Sequence, residues 1–132
     1  MNPIPKPTEA ELEILQILWA HGPSSVRAVH EQLNEARLAN NREEVGYTTT
    51  LKIMQIMADK GLVTRDTSTR THIYATAAKE EDTQQQLLQR FVDATFRGSA
   101  MKLVMQALGN QQVSAEELDE IKALIEKLEK EQ

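Results

Sequence analysis

Apolar positions recur at spacings of three and four along most of the chain, interrupted by prolines, glycines and polar runs that mark where elements end. Met1 to Pro7, with three prolines, reads as an extended, mobile leader. Thr8 followed by Glu11 has the form of a capping box: the hydroxyl accepts a first-turn N–H and the carboxylate returns to the cap residue. In the helix that starts there, Leu12, Ile14, Leu15, Leu18 and Trp19 share one broad arc, as a core-facing helix requires, and His21-Gly22-Pro23 stops it. Ser24 or Ser25 caps a second helix with Val26, Val29 and Leu33 on its apolar side, ending near Ala36. Arg37 to Val45 is polar and charged, and reads as a mobile loop of about ten residues.

A third helix is expected from Thr48 or Thr49 to Lys60, with Gly61 as a left-handed cap. Leu51, Ile53, Met54, Met57 and Ala58 share one half of its wheel; Thr48, Thr49, Lys52, Gln55, Ile56 and Asp59 share the other. Leu62 to Arg65 and Thr71 to Tyr74 have strand composition, and Thr67 to Arg70 between them has turn composition. Ala75 to Glu81, small and charged, reads as a hinge. Thr83 to Phe96 then predicts a fourth helix carrying Leu87, Leu88, Phe91 and Val92. Ser99 caps a short fifth helix with Met101, Leu103, Val104, Met105 and Leu108, ended by Gly109-Asn110. Ser114 with Glu117 repeats the capping box, and Leu118, Ile121, Ile125 and Leu128 follow at spacings of three, four and three, a heptad-like seam shorter than two heptads. The expected fold class is mainly α with a small β-hairpin. Three short, apolar C-terminal helices bury little alone, and a second copy is the economical cover for them.

Length and composition bound these expectations without changing them. A chain of 132 residues fits one domain, or a small domain with an oligomerisation segment, and 40% hydrophobic residues with few aromatics implies a core of Leu, Ile, Val and Met. No apolar run approaches the ~20 residues that span a bilayer, and no signal peptide is evident, so no membrane insertion and a cytoplasmic location are expected. The absence of cysteine excludes disulfides, thiolate metal sites and thiol nucleophiles.

Charge does change the picture. The formal net charge of −5 argues against nucleic acid until its distribution is followed: residues 1–77 carry 8 Lys+Arg against 9 Asp+Glu, and residues 78–132 carry 7 against 11. Between Arg37 and Tyr74, six basic residues (Arg37, Arg42, Lys52, Lys60, Arg65, Arg70) face four acidic ones, a local net of +2. One copy should therefore bind DNA weakly, because each neutralised phosphate adds its own increment of counterion release, and two copies on one site remedy that.

The outer half of the third helix carries the groups a recognition helix needs. Lys reaches guanine acceptors, Gln pairs with adenine and Thr methyls meet thymine methyls; Thr48, Thr49, Lys52, Gln55 and Ile56 supply them. Free N–H groups at the helix start near Tyr47 can hold a phosphate. An ordinary solvated helix face has the same look. The hairpin favours the DNA reading, because Arg65, Arg70 and His72 place donors beside that helix, where a wing follows the backbone or the minor groove. Arg70 is the best wing-tip contact, Tyr74 is expected to pack against the helices, and the Arg37 to Val45 loop is expected near the DNA backbone. No catalytic residue is assigned: His21, His30 and His72 lie on different elements outside any ligand spacing, and neither a phosphate loop nor a nucleophile elbow occurs. Met54, Met57, Met101 and Met105 are spaced like core residues rather than a copper box. No metal or cofactor is expected.

These residues together resemble the BlaI/MecI/CopY family of transcriptional repressors. The likeness rests on Thr8, Glu11, Glu13 and Leu18-Trp19 in the first helix, Tyr47-Thr48-Thr49-Thr50-Leu51 through Lys60-Gly61-Leu62-Val63 in the reading helix, and Arg70 with Tyr74 in the wing. It implies a winged helix-turn-helix DNA-binding domain over residues 1–77 and a helical dimerisation domain over residues 78–132. It further implies repression by a homodimer on a two-fold symmetric operator in double-stranded DNA. The DNA-facing positions it carries over are Thr48, Thr49, Lys52, Gln55 and Arg70, and Ser114 to Leu128 matches the family's last dimerisation helix. The seam between copies is expected to use Leu88, Phe91, Leu103, Val104, Leu108, Leu118, Ile121, Ile125 and Leu128.

The chain departs from the family at its signal. Copper-responsive members carry a C-terminal cysteine cluster, absent here. β-Lactam-responsive members are cleaved at an Asn-Phe bond in the middle dimerisation helix, where Gln106-Ala107 stands in this chain. An upstream sensor protease is a partner the resemblance raises and these residues do not specify. The loop before Tyr47 also lacks the family's usual Trp. The alternative of another class is a winged-helix adaptor that binds a protein partner through the same surface, a reading fed by the weak basic patch and the acidic C-terminal part.

Overall fold

Residues 4–110 and 112–132 are described by the computed structural model, so the first three residues of the leader and Gln111 lie outside the description. Two compact units are formed, Met1–Leu88 and Gln89–Gln132.

In the first unit, α1 (Glu9–His21) starts at the Thr8 cap, and both halves of its capping box are made: Glu11 N–H donates to Thr8 Oγ1 at 3.2 Å and Thr8 N–H to Glu11 Oε1 at 2.9 Å. Gly22, at φ 80°, ends it in a conformation that a side chain would strain. Between the first two helices Ser24–Ser25 forms a two-residue strand, β1, before Ser25 caps α2 (Val26–Ala39) by accepting from Ala28 N–H. α2 extends a turn beyond the end expected near Ala36. The added turn is fixed by side chains: Asn40 Nδ2 donates to the Ala36 carbonyl at 2.8 Å, and Arg37 reaches across to Glu13 at 2.9 Å. α3 (Tyr47–Lys60) starts one residue earlier than expected and ends at Gly61 in the left-handed conformation, φ 84° and ψ 14°.

The hairpin is shifted two residues along β3, to β2 (Val63–Asp66) and β3 (Ile73–Thr76), because Ala75 and Thr76 pair with Thr64 and Val63 of β2, while Tyr74 and Ile73 also pair with Ser24 and Ser25 of β1. The sheet order is β1-β3-β2, and all pairs are antiparallel. Helices α1 to α3 with this sheet form a winged helix around a core of Ile14, Leu15, Leu18, Val29, Leu33, Met54, Met57, Leu62, Val63 and Tyr74. Tyr74, only 1% exposed, packs inward as expected.

The stretch read as a hinge and the described part of the leader are both tied down. Ala75 and Thr76 belong to β3, and the Trp19 indole N–H donates to the Ala78 carbonyl at 3.3 Å, so the stretch read as a hinge is anchored to α1. In the leader, Pro7 is buried and the Ile4 carbonyl accepts from Gln86 Nε2 at 2.7 Å.

Helix α4 (Glu80–Phe96) starts three residues before Thr83 and contains the division between the units. In the second unit, Gly98 N–H donates to the Val92 carbonyl as the chain turns through Arg97 and Gly98, both at positive φ. α5 (Ala100–Asn110) includes Gly109 and Asn110, which were expected to end it, and α6 (Ala115–Lys130) starts at a complete Ser114–Glu117 capping box. Val92 is buried, but most of the large apolar side chains here remain open to solvent in a single chain. Phe91, Val104, Leu108, Leu118, Ile125 and Leu128 are exposed, as is Leu88 in the first unit, while Leu103 and Ile121 are half-buried. Met101 and Met105 are 76% and 68% exposed, in contrast to the core positions expected of them, whereas Met54 and Met57 are fully buried. No helix of the described residues is long and apolar enough to cross a membrane.

Candidate nucleic-acid interface

The two halves of α3 separate as its periodicity predicts. Met54 and Met57 are buried and Leu51, Ile53 and Ala58 half-buried, while Thr48, Thr49, Lys52, Gln55 and Ile56 stand exposed in a row on the other side. Ile56 is an apolar side chain left 42% exposed on that polar row. Thr50 is the exception to the simple wheel: it is fully buried, although its neighbours on both sides of the Thr run are not.

Beside this face the wing closes a groove of about 460 Å³, lined by Tyr47 and Gln55 of α3, Arg65 of β2, and Arg70 and His72 of the wing loop, with Arg27 from α2. Strand alternation explains Arg65. It pairs with Tyr74 and lies two residues from buried Val63, so it projects on the helix-facing side of the sheet, just beyond the core. Across the wing tip, Asp66 Oδ1 accepts from Ser68 N–H at 2.9 Å, a local turn. The Ser68 hydroxyl and backbone N–H hold the Asp66 carboxyl below its ordinary pKa.

The basic residues of this region fall into two groups. Arg37 and Arg42 both bind Glu13, at 2.9 and 3.0 Å, and Lys60 binds Glu11 at 2.7 Å. These three cations thus serve the packing of α1 rather than the groove. Burial pushes the Glu11 carboxyl up, but hydrogen bonds from Lys60 and the Thr8 backbone, with the Lys60 charge, outweigh it and leave the pKa below its ordinary value. Among the described residues Lys52, Arg65, Arg70 and Arg27 make no ion pair.

The start of α3 is set from α2. Its N-cap, Gly46, offers no side chain, yet the preceding loop is clamped by Asn34, whose Oδ1 accepts from Val45 N–H at 2.8 Å and whose Nδ2 donates to the Val45 carbonyl at 2.9 Å. With the Asn34 amide so oriented, its Nδ2 faces His30 Nε2 at 3.5 Å, which makes Nε2 the accepting nitrogen and Nδ1–H the donor to Thr50 Oγ1 at 3.1 Å. The His30 ring also meets Tyr47 edge-on, with centroids 5.5 Å apart and planes at 82°. The loop read as mobile is therefore held at Glu43 as well as at Val45, since Arg37 also donates to the Glu43 carbonyl.

Residues 7–127 match the family model described as penicillinase repressor. The chain belongs to the penicillinase repressor family. It is similar to the penicillinase repressor of Bacillus licheniformis, 24% identical over 127 residues that span 96% of this chain and 94% of that one. It is also similar to the transcriptional regulator BlaI of Mycobacterium tuberculosis, 27% identical over 123 residues, 92% of this chain and 83% of that one. The solution structure of the DNA-binding domain of the repressor BlaI aligns with a TM-score of 0.50 at 22% identity, covering 62% of this chain and 93% of that one, a likeness of fold. In this member of the family, the groove gathers Tyr47, Gln55, Arg65, Arg70 and His72, while Thr48, Thr49, Lys52 and Ile56 lie along the open α3 face outside the groove lining. Arg27, His30, Asn34 and Thr50 went unread in the sequence as parts of this surface. Their partners are twenty or more residues away or lie across a loop, and only a Thr in an otherwise apolar wheel position hinted at one of them.

Proposed function

We infer that this chain is a DNA-binding transcriptional repressor that occupies a two-fold symmetric operator as a cytoplasmic homodimer and has no catalytic role. One observation carries the reading: the open row of Thr48, Thr49, Lys52, Gln55 and Ile56 runs beside a groove into which Arg65, Arg70 and His72 project, in a member of the penicillinase repressor family. This arrangement supports the reading, because duplex recognition divides its work between groups that read bases and groups that bind phosphates beside them. Residues 1–77 supply the DNA-binding domain. Residues 78–132 supply dimerisation, with Leu88, Phe91, Leu103, Val104, Leu108, Leu118, Ile121, Ile125 and Leu128 as the seam, most of them open to solvent in one copy.

The test is operator binding by variants, on duplex DNA from upstream of the chain's own gene. Lys52→Ala and Arg70→Ala each lower affinity by about tenfold per copy, and so by about a hundredfold for the dimer, as expected for loss of one ~1–3 kcal/mol base contact or one phosphate contact in each copy. Arg70→Ala also flattens the dependence on salt. Wild-type affinity in both variants would refute this reading face and favour a protein-binding adaptor.

A further inference from the structure

Arg27 has no assigned role, yet among the described residues that line the groove beside α3 it is the charged one from α2. It is exposed, and its guanidinium carbon lies 5.9 Å from the centroid of the Tyr47 ring, within cation–π range. The ring beneath it is held by the edge contact with His30, and His30 by Thr50. A long, mobile side chain is thereby presented on a fixed platform, which lowers the conformational entropy lost when it binds something further.

The charge of the groove gives the direction. Arg27, Arg65 and Arg70 all line it, and no Asp or Glu is among its described lining residues. Three other cations of this unit, Arg37, Arg42 and Lys60, are each matched by a carboxylate from α1, while Lys52 stands on the open α3 face. Three guanidiniums around one groove without an anion repel one another, and a phosphate diester relieves that repulsion with geometry suited to the guanidinium fork.

We propose that Arg27 is a DNA-backbone contact, a guanidinium presented on the Tyr47 ring that binds a phosphate on the α2 side of the groove while Arg65 and Arg70 bind on the wing side. The role rests on the repressor reading above and extends its contact surface to α2. Tyr47 in this arrangement is a positioning residue for Arg27 as well as a member of the α3 face.

The decisive experiment is a salt titration of binding to the same upstream duplex by the full chain and its variants. Arg27→Ala should lower the slope of log affinity against log salt by about 0.9 for each copy on the DNA, and Arg27→Lys should restore the slope. A purely structural Arg27 would change affinity without changing the slope, so a wild-type slope in Arg27→Ala overturns the proposal. In a double-mutant cycle, Arg27→Ala should cost less in a Tyr47→Ala background than in wild type or Tyr47→Phe; equal costs in all three overturn the platform role. Wild-type protein that binds no duplex at any salt overturns the repressor reading, and Arg27's role with it. Wild-type binding with an unaltered Arg27→Ala slope overturns Arg27's role alone.

Discussion

Glu11 and Glu13 decide which cations of the winged helix remain available. The six basic residues counted between Arg37 and Tyr74 look equivalent in sequence, but Glu13 takes Arg37 and Arg42 and Glu11 takes Lys60. Nothing local in the sequence shows this, because the partners lie on separate helices. Glu11 was legible as a capping residue from the Thr8 spacing, while its second duty toward Lys60 depends on how α1 packs on α3. Glu11→Gln keeps an acceptor for the Thr8 N–H and removes the charge facing Lys60. It should lower stability at neutral pH by about 1 kcal/mol, a value kept low because Lys60 is about a third exposed. The pH dependence follows from the lowered Glu11 pKa. Its contribution is complete above the ordinary carboxylate range and is lost as the pH falls through the folded-state value, so wild type should lose its advantage over Glu11→Gln on acidification. Chemical denaturation of both proteins at neutral and acidic pH checks this, and a constant difference would contradict it.

At the scale of elements, what the sequence disclosed was what depends on near neighbours. The Thr8, Ser25 and Ser114 caps, the Gly61 stop and the inward Met54 and Met57 are all set by residues within a turn or two. β1 was hidden because a two-residue strand has no periodicity, and the extension of β3 to Thr76 depends on its register with β2, where Thr76 pairs with Val63. The loop before α3 looked mobile because its clamp, Asn34, reads in sequence as one more polar residue of α2. Asn34→Ala removes a buried amide that satisfies both the N–H and the carbonyl of Val45. It should cost about 1–3 kcal/mol and raise amide hydrogen exchange through residues 41–49. Unchanged exchange there would mean that the clamp does not set the start of α3. For the candidate site, the exposed α3 face and the wing arginines were legible, whereas the Arg27, His30 and Thr50 support behind them was not, because it joins α2 to α3 in space only.

For the molecule as a whole, the proposed function turns on the small number of cations left for DNA and on the open apolar side chains of α4 to α6. Among the described residues Arg27, Lys52, Arg65 and Arg70 of the winged helix form no ion pair, and so few phosphate contacts hold a single copy weakly at physiological salt. Phe91, Met101, Val104, Met105, Leu118, Leu124, Ile125 and Leu128 are exposed, more apolar surface than an acidic region of this size usually leaves in water. In the proposed dimer a second copy would account for both features, covering the apolar seam and doubling the cations on one operator. Leu118→Asp with Ile125→Asp should therefore yield a monomer with an intact winged helix and much weaker operator binding.

The most direct measurement is the stoichiometry and affinity of the wild-type chain on a duplex bearing the full dyad, compared with a duplex bearing one half-site, at physiological salt. The predicted result is two chains per dyad and affinity for the half-site at least about a hundredfold weaker, since linked binding gains that much over independent contacts. One chain bound per duplex, with equal affinity for the dyad and the half-site, would contradict it.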